Sequence, residues 1–302
     1  MSYNANISAK NFRITRSTPK GGESAVATLA RGLIRPDNHT VSHRVDAYGQ
    51  LVENSGKIGR TLYEDFTAWD TADQITTLTA AGLVRATTGN LLHHTWTPGG
   101  LVLGTVALGA QTIAIATAAT GLDVSGDQTD NDGYEVFSHL AGASGAPFVV
   151  GNDPAFFFET SLTMANVSGC DTMLIGFRRA QVNVGAFADY LDYAAIGWDA
   201  AAAAVTVDTI TDLNDGGTPT ATTTGTTLAD AIVLNVRLEV SAAGVVTFKH
   251  SQGTAALAVN AGAGTFTFDD GDPVIPFIHF LQGTAADSGA TVIRKWAAGY
   301  VQ

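Results

Sequence analysis

Residues 269–302 constrain the fold of this chain more than any other stretch. Pro276-Phe-Ile-His-Phe-Leu281 is apolar or aromatic at nearly every position, as a strand buried on both faces must be. Pro273 and Pro276 stand where such a strand begins, and there a missing backbone N–H is tolerated. Residues 284–289 have loop chemistry, and Thr291 to Trp296 resumes with β-branched residues. Two buried strands joined by a polar loop cannot stand alone. They require a complete β-sandwich in the rest of the chain.

The preceding residues supply candidates for it. Short β-branched or aromatic runs separated by Gly, Asp and Asn turns fall at 102–107, 111–116, 134–138, 155–164, 172–178, 193–197 and 204–210. Others follow at 220–224, 232–240, 245–250, 265–268, 274–281 and 290–300. Val236-Arg-Leu-Glu-Val240 alternates cleanly, and Ser241-Ala-Ala-Gly244 is a hairpin connection into the next run. No equal-length repeat stands out, which disfavours solenoids and propellers. Residues 101–122 are apolar enough to mimic a membrane span, but glycines punctuate them and a buried strand pair fits better.

The first part of the chain reads differently. Residues 1–62 form an expected extended arm, with sparse apolar positions, breakers at Pro19 and Pro36, and one short helix at 24–33. Residues 63–100 are expected to be a helical connector, because Thr71-Ala-Asp-Gln74 resembles a helix cap ahead of Ile75 and Leu78. The sandwich then occupies 101–302.

Net charge is −12, and it is unevenly spread. Residues 1–100 hold ten Lys/Arg against eight Asp/Glu, and 101–302 hold six against twenty. Lys10, Arg13, Arg16 and Lys20 open the chain without an acid among them, and Arg31 and Arg35 follow. A basic arm on an acidic body is suited to electrostatic attachment. Nucleic acid is the other partner for such an arm, but these dispersed charges make a thin phosphate footprint. Charged residues are only 15% of the chain, against about 25% in an average soluble protein, which suits a surface covered by a second subunit. The single cysteine, Cys170, permits no intrachain disulfide, and the start of the chain lacks the apolar core of a secretion leader.

Several phrases carry a resemblance. The run from Val233 through Phe248, followed by an aromatic strand and a final return strand, resembles concanavalin A-like lectin/glucanase jelly rolls. Asp123-Val-Ser-Gly-Asp-Gln-Thr-Asp-Asn-Asp-Gly-Tyr-Glu135, Asp153-Pro-Ala-Phe-Phe-Phe-Glu159, Ile175-Gly-Phe-Arg178, Asp192-Tyr-Ala-Ala-Ile-Gly197 and Phe268-Asp-Asp-Gly-Asp-Pro-Val-Ile-Pro-Phe277 look like phrases of bacteriophage virion structural proteins, such as capsid decoration or fibre subunits. The resemblance covers about 110–302 and implies an all-β jelly-roll sandwich on a virion.

Chemistry is sparse beside it. Glycoside hydrolases of this jelly-roll class carry a Glu-x-Asp-x-x-Glu strand, which is missing here; Glu135, Glu159 and Glu239 each stand alone on their strands. There is no nucleophile elbow, Walker loop or dinucleotide fingerprint. The residues Asp123, Asp127, Asp130 and Asp132 crowd one acidic stretch that suits Ca²⁺, although Asx-turns explain the same composition and the EF-hand spacing fails. Tyr190, Tyr193 and Trp198 lie near Asp189, Asp192 and Asp199 and could form a glycan platform, or could pack in the core. The expected protein is therefore a non-enzymatic, cofactor-free capsid decoration or cement subunit, homo-oligomeric and located on the virion surface. Lys10, Arg13, Arg16, Lys20, Arg31 and Arg35 would bond the major capsid protein. The alternative is a fibre module binding host glycans.

Overall fold

A computed structural model describes residues 146–301 apart from 182–186, 200–204, 214–217, 261–263 and 284–290, together with the strands given below from the first half of the chain. It divides into two compact units, residues 1–60 with Gln302, and residues 61–301. In the first unit, β1 (Arg44–Val45) pairs antiparallel with β2 (Leu51–Val52). The other residues expected to form the arm, including the helix at 24–33, lie outside the described residues.

The second unit is a sandwich of two antiparallel sheets. Its strands are β3 (Thr61–Asp65), β4 (Gln74–Leu78), β5 (Leu83–Arg85), β6 (Val102–Val106), β7 (Thr112–Ala118), β8 (Gly121–Asp127) and β9 (Gly133–Phe137). These continue as β10 (Phe148–Val149), β11 (Phe156–Met164), β12 (Cys170–Arg179), β13 (Tyr193–Asp199), β14 (Val205–Asp212) and β15 (Thr220–Leu228). The chain finishes with β16 (Val233–Val240), β17 (Val246–Gln252), β18 (Ala258–Val259), β19 (Pro273–Gln282) and β20 (Thr291–Tyr300). One sheet runs β15-β14-β13-β12-β19-β9-β6-β5 with β10 beside β19; the other runs β18-β17-β16-β11-β20-β8-β7-β4 with β3 beside β20. We call them the first and second sheets.

The C-terminal strands hold the centre of both layers. Although joined in sequence, β19 and β20 lie in different sheets: β19 between β12 and β9, β20 between β11 and β8. The pairs β11/β12 and β19/β20 thus each cross between layers, as a jelly roll requires. Within the apolar stretch at 101–122, β6 and β7 likewise do not pair with each other, since β6 joins the first sheet and β7 the second. No helix among the described residues is long and apolar enough to cross a membrane.

The pattern of each strand follows from what covers it. On β16, Leu234, Val236, Leu238 and Val240 are buried between the sheets while Arg237 and Glu239 point outward. Phe148, Phe156 and Phe177 fill the same core, with Phe148 and Phe156 stacked at 4.5 Å and Phe177 edge-on to Phe156 at 5.3 Å. Such aromatic pairs add about 0.5–1.5 kcal/mol beyond the area they bury. The first sheet is covered on its other face too, by a smaller cluster that includes Phe137, Leu174, Tyr193, Ile210 and Phe277. That double cover is why β19 is apolar at nearly every position.

The β16–β17 turn matches its sequence. The Ser241 N–H donates to the Val245 carbonyl at 2.9 Å, and Gly244 takes φ +83°. A Cβ on Gly244 would stand 2.3 Å from the Phe268 carbonyl oxygen, so a glycine is required there.

The helical connector expected over 63–100 is overturned. Gln74–Leu78 is a strand, paired through Gln74↔Ala116 to Leu78↔Ile113, and Leu83–Arg85 pairs with β6. Here pairing along a sheet edge outweighs a cap-like local signal. Strands of the sandwich therefore begin at Thr61, well before residue 101.

Candidate functional site

The outer face of the first sheet gathers the ionisable groups that could carry chemistry. Register places Glu135 on β9 opposite His279 on β19, and His279 opposite Leu174 on β12. Alternation turns Glu135, His279 and Arg178 away from the second sheet, because Tyr134, Val136, Phe177, Ile278 and Phe280 take the positions facing the main core. After β12 the chain returns through a short 3-10 turn, Phe187–Asp189, which sets Phe187 and Tyr190 on this face. Gln181 fixes that return: its Nε2 donates to the Asp189 carbonyl at 3.3 Å, and its Oε1 accepts from the Leu191 N–H at 2.9 Å.

Glu135, Arg178, His279 and Tyr190 are all fully buried. Arg178 Nε donates to Glu135 Oε1 at 2.6 Å, while Nη1 donates to the Arg179 carbonyl at 3.1 Å. The Tyr190 hydroxyl donates to Glu135 Oε2, and His279 Nδ1 stands 3.5 Å from the same oxygen. The guanidinium lies 4.4 Å from the Tyr190 ring centroid and 5.0 Å from that of Phe137. Phe187 sits edge-on to both Tyr193 and His279. Burial alone would raise the Glu135 pKa, but the Arg178 charge and the His279 and Tyr190 contacts outweigh it and hold the carboxyl below its ordinary range. Glu135 is thus ionised and occupied on both oxygens. Such a group is unsuited to donate a proton as a general acid, and it suits a pinning role between three strands and a loop.

A second charged row crosses the outer face of the second sheet. Lys249 contacts Glu239 at 2.8 Å, Arg237 contacts Glu239 and Glu159 at 2.7 Å each, and Lys295 pairs with Glu159. The Arg237 guanidinium also lies 3.9 Å over the Phe157 ring. Partial burial raises the Glu159 and Glu239 pKa values, and their cationic partners more than reverse it, leaving both below the ordinary value of 4.5. A carboxylate whose folded pKa is depressed contributes stability that is complete above its unfolded pKa and lost as pH falls through the folded one. The row is therefore expected to weaken below about pH 4.5. Glu159→Gln should cost roughly 1 kcal/mol at neutral pH and distinctly less at pH 3. Calorimetric melts of both proteins across that range check this; equal differences at both pH values would refute it.

The residues singled out in the sequence do not form one site. Tyr190 and Tyr193 are buried in the cluster on the outer face of the first sheet. Trp198 is buried in the core between the sheets, where its Nε1 donates to the Cys170 carbonyl at 3.2 Å. The expected glycan platform is therefore overturned: the three rings lie on two faces of β13 and none is exposed. Of the acidic stretch, Asp123 lies on β8, paired with Ala116 and Val292, and burial raises its pKa. The Asp127 side chain, Asp130 and Asp132 lie outside the described residues, among which no group of three or more His, Cys, Asp or Glu is placed to hold a metal. Lys10, Arg13, Arg16, Lys20, Arg31 and Arg35 also lie outside them. Cys170 is buried, and that burial pushes its thiol well above the ordinary value, so it is unsuited to act as a nucleophile.

What sequence reading missed is the Glu135–Arg178–His279–Tyr190 cluster. A signal existed: Glu135 and His279 each interrupt an otherwise apolar run, and Arg178 directly follows the apolar run 173–177. Such positions need a buried partner.

No protein-family model matches the sequence, and no curated protein matches it. Solved structures of similar architecture include the Emp46p carbohydrate recognition domain, at 10% identity, covering 78% of this chain and 99% of that one with a TM-score of 0.47. Peanut lectin is similar at 10% identity, 75% and 97% coverage and a TM-score of 0.44. An alginate lyase from Pseudomonas aeruginosa is similar at 18% identity, 62% and 86% coverage and a TM-score of 0.42. The chain is an all-β sandwich of two antiparallel sheets.

Proposed function

We propose that this chain is a non-enzymatic virion structural protein of a tailed phage, a capsid decoration subunit held by its basic N-terminal residues and displaying the acidic sandwich. The phage assignment rests on the resemblance of its sequence phrases. The attachment rests on how charge divides between the two units. Residues 1–60 hold nine Lys/Arg against four Asp/Glu, a net of +5, whereas 61–302 hold seven against twenty-four, a net of −17.

One observation carries the reading furthest. Arg178, Arg179, Arg237, Lys249 and Lys295 are each engaged with carboxylates of the sandwich itself. Cations for an acidic lattice would then come mainly from residues 1–60, Lys10, Arg13, Arg16, Lys20, Arg31 and Arg35 first among them. They would act through charge-assisted bonds made as the arm orders on the major capsid protein. The non-catalytic part of the reading is supported by Glu135, whose two oxygens are already occupied. A glycan-binding role would need a surface other than Tyr190, Tyr193 and Trp198.

Deleting residues 1–35 should abolish co-sedimentation with undecorated phage capsids while leaving the melting temperature of the sandwich unchanged. Added salt should weaken the full chain's binding in the same assay. Unchanged affinity of the truncated protein would sink the proposal.

A further inference from the structure

One side of the sandwich differs in character from the rest of this acidic body. Residues 216–229 and 251–268 contain no Asp, Glu, Lys or Arg. These stretches carry β15 and β18, which end the first and second sheets among the described residues. Thr220, Ala221 and Thr223 are exposed, as is Ala258, and Val259 is 61% exposed. An open strand edge is a template for another strand, and proteins usually guard it with charge, proline, a bulge or a covering segment.

The guard here is partial. Toward the end of β15, Gly225 takes φ +72°, and pairing with β14 shifts register between Val207 and Asp208. The Gly225 N–H donates to Thr223 Oγ1 at 3.2 Å, and the Thr226 N–H donates to Thr224 Oγ1 at 3.3 Å. Gln252 Nε2 donates to the Thr227 carbonyl at 2.7 Å, and His250 Nε2 meets the Thr226 hydroxyl at 2.8 Å. Residues 224–227 are thus bent and tied to their own chain. Thr220 to Thr223 carry no charge, proline or positive-φ residue of their own, the nearest charge being Asp208 on β14, which bonds the Thr223 side chain.

We propose that the Thr220–Thr223 edge of β15 joins the same edge of a second copy, antiparallel across a twofold axis, so that the two first sheets become continuous. The charge of the body selects this occupant. With a net charge of −17 on residues 61–302, two copies repel where their acidic faces meet, and the side low in charge is where they approach at least cost. A basic peptide would be drawn instead to the acidic surface elsewhere. A twofold axis also preserves the antiparallel order of the sheet and closes the assembly at two copies through this edge.

Light scattering on the full chain is expected to give twice the 31.2 kDa of one copy. The substitution Ala221→Asp sets like charges against each other across the axis at an exposed position. It should halve the mass while leaving the circular dichroism spectrum of the sandwich unchanged, and Ala221→Ser should keep the dimer. Hydrogen exchange of the unsubstituted protein supplies a readout free of any folding defect: the Thr220–Thr223 amides should slow as the protein is concentrated. A mass of one copy or an odd multiple, a dimer that survives Ala221→Asp, or amides indifferent to concentration would overturn the proposal.

Discussion

Glu135→Ala should destabilise the sandwich by about 3–5 kcal/mol, because it leaves the Arg178 guanidinium buried without its counter-charge. The loss extends beyond the ion pair. The Tyr190 hydroxyl loses its acceptor, and with it the contact that ties the 187–190 turn to β9. Urea unfolding followed by tryptophan fluorescence measures this directly, and a loss below about 1 kcal/mol would show that the pair is not the pin described above. The companion variant Glu135→Leu with Arg178→Met separates charge from packing. Replacing both partners by apolar groups of similar volume is often neutral, so this double variant should regain most of what the single one loses.

Such a cluster is hard to foresee for a geometric reason. Glu135 and Arg178 are 43 residues apart and lie on different strands. Only the register of β9, β19 and β12 brings them to one face, and register is a property of the whole sheet. Strands whose side-chain pattern matches their burial were legible in advance: 233–240 alternates because one face is wet, and 274–281 is apolar throughout because both faces are covered. Gly121–Asp127 was hidden for the opposite reason. Its acidic, glycine-bearing sequence reads as a turn, yet its backbone pairs with β7 on one side and β20 on the other. Gln74–Leu78 was likewise masked by a cap-like start. The failure of the aromatic platform, by contrast, was readable. Tyr193 and Trp198 are an odd number of residues apart on one strand, which sends them to opposite faces.

Trp296→Ala should cost about 3–5 kcal/mol, the usual price of emptying a buried tryptophan site. The ring is fully buried in the main core, 4.5 Å from the Phe158 ring, on the strand that binds β11, β8 and β3 together. Trp296→Phe should behave differently. The indole Nε1–H is buried and finds no hydrogen-bond partner among the described residues, and an unsatisfied buried donor costs about 1–3 kcal/mol. Phenylalanine removes that donor while keeping an aromatic ring beside Phe158, so its lost volume is offset. Urea titrations of the two variants should therefore differ by at least about 2 kcal/mol, with Trp296→Phe close to the unsubstituted protein. Equal losses would mean that volume alone sets the energetics at this site and that the indole nitrogen finds a partner, such as water, in solution.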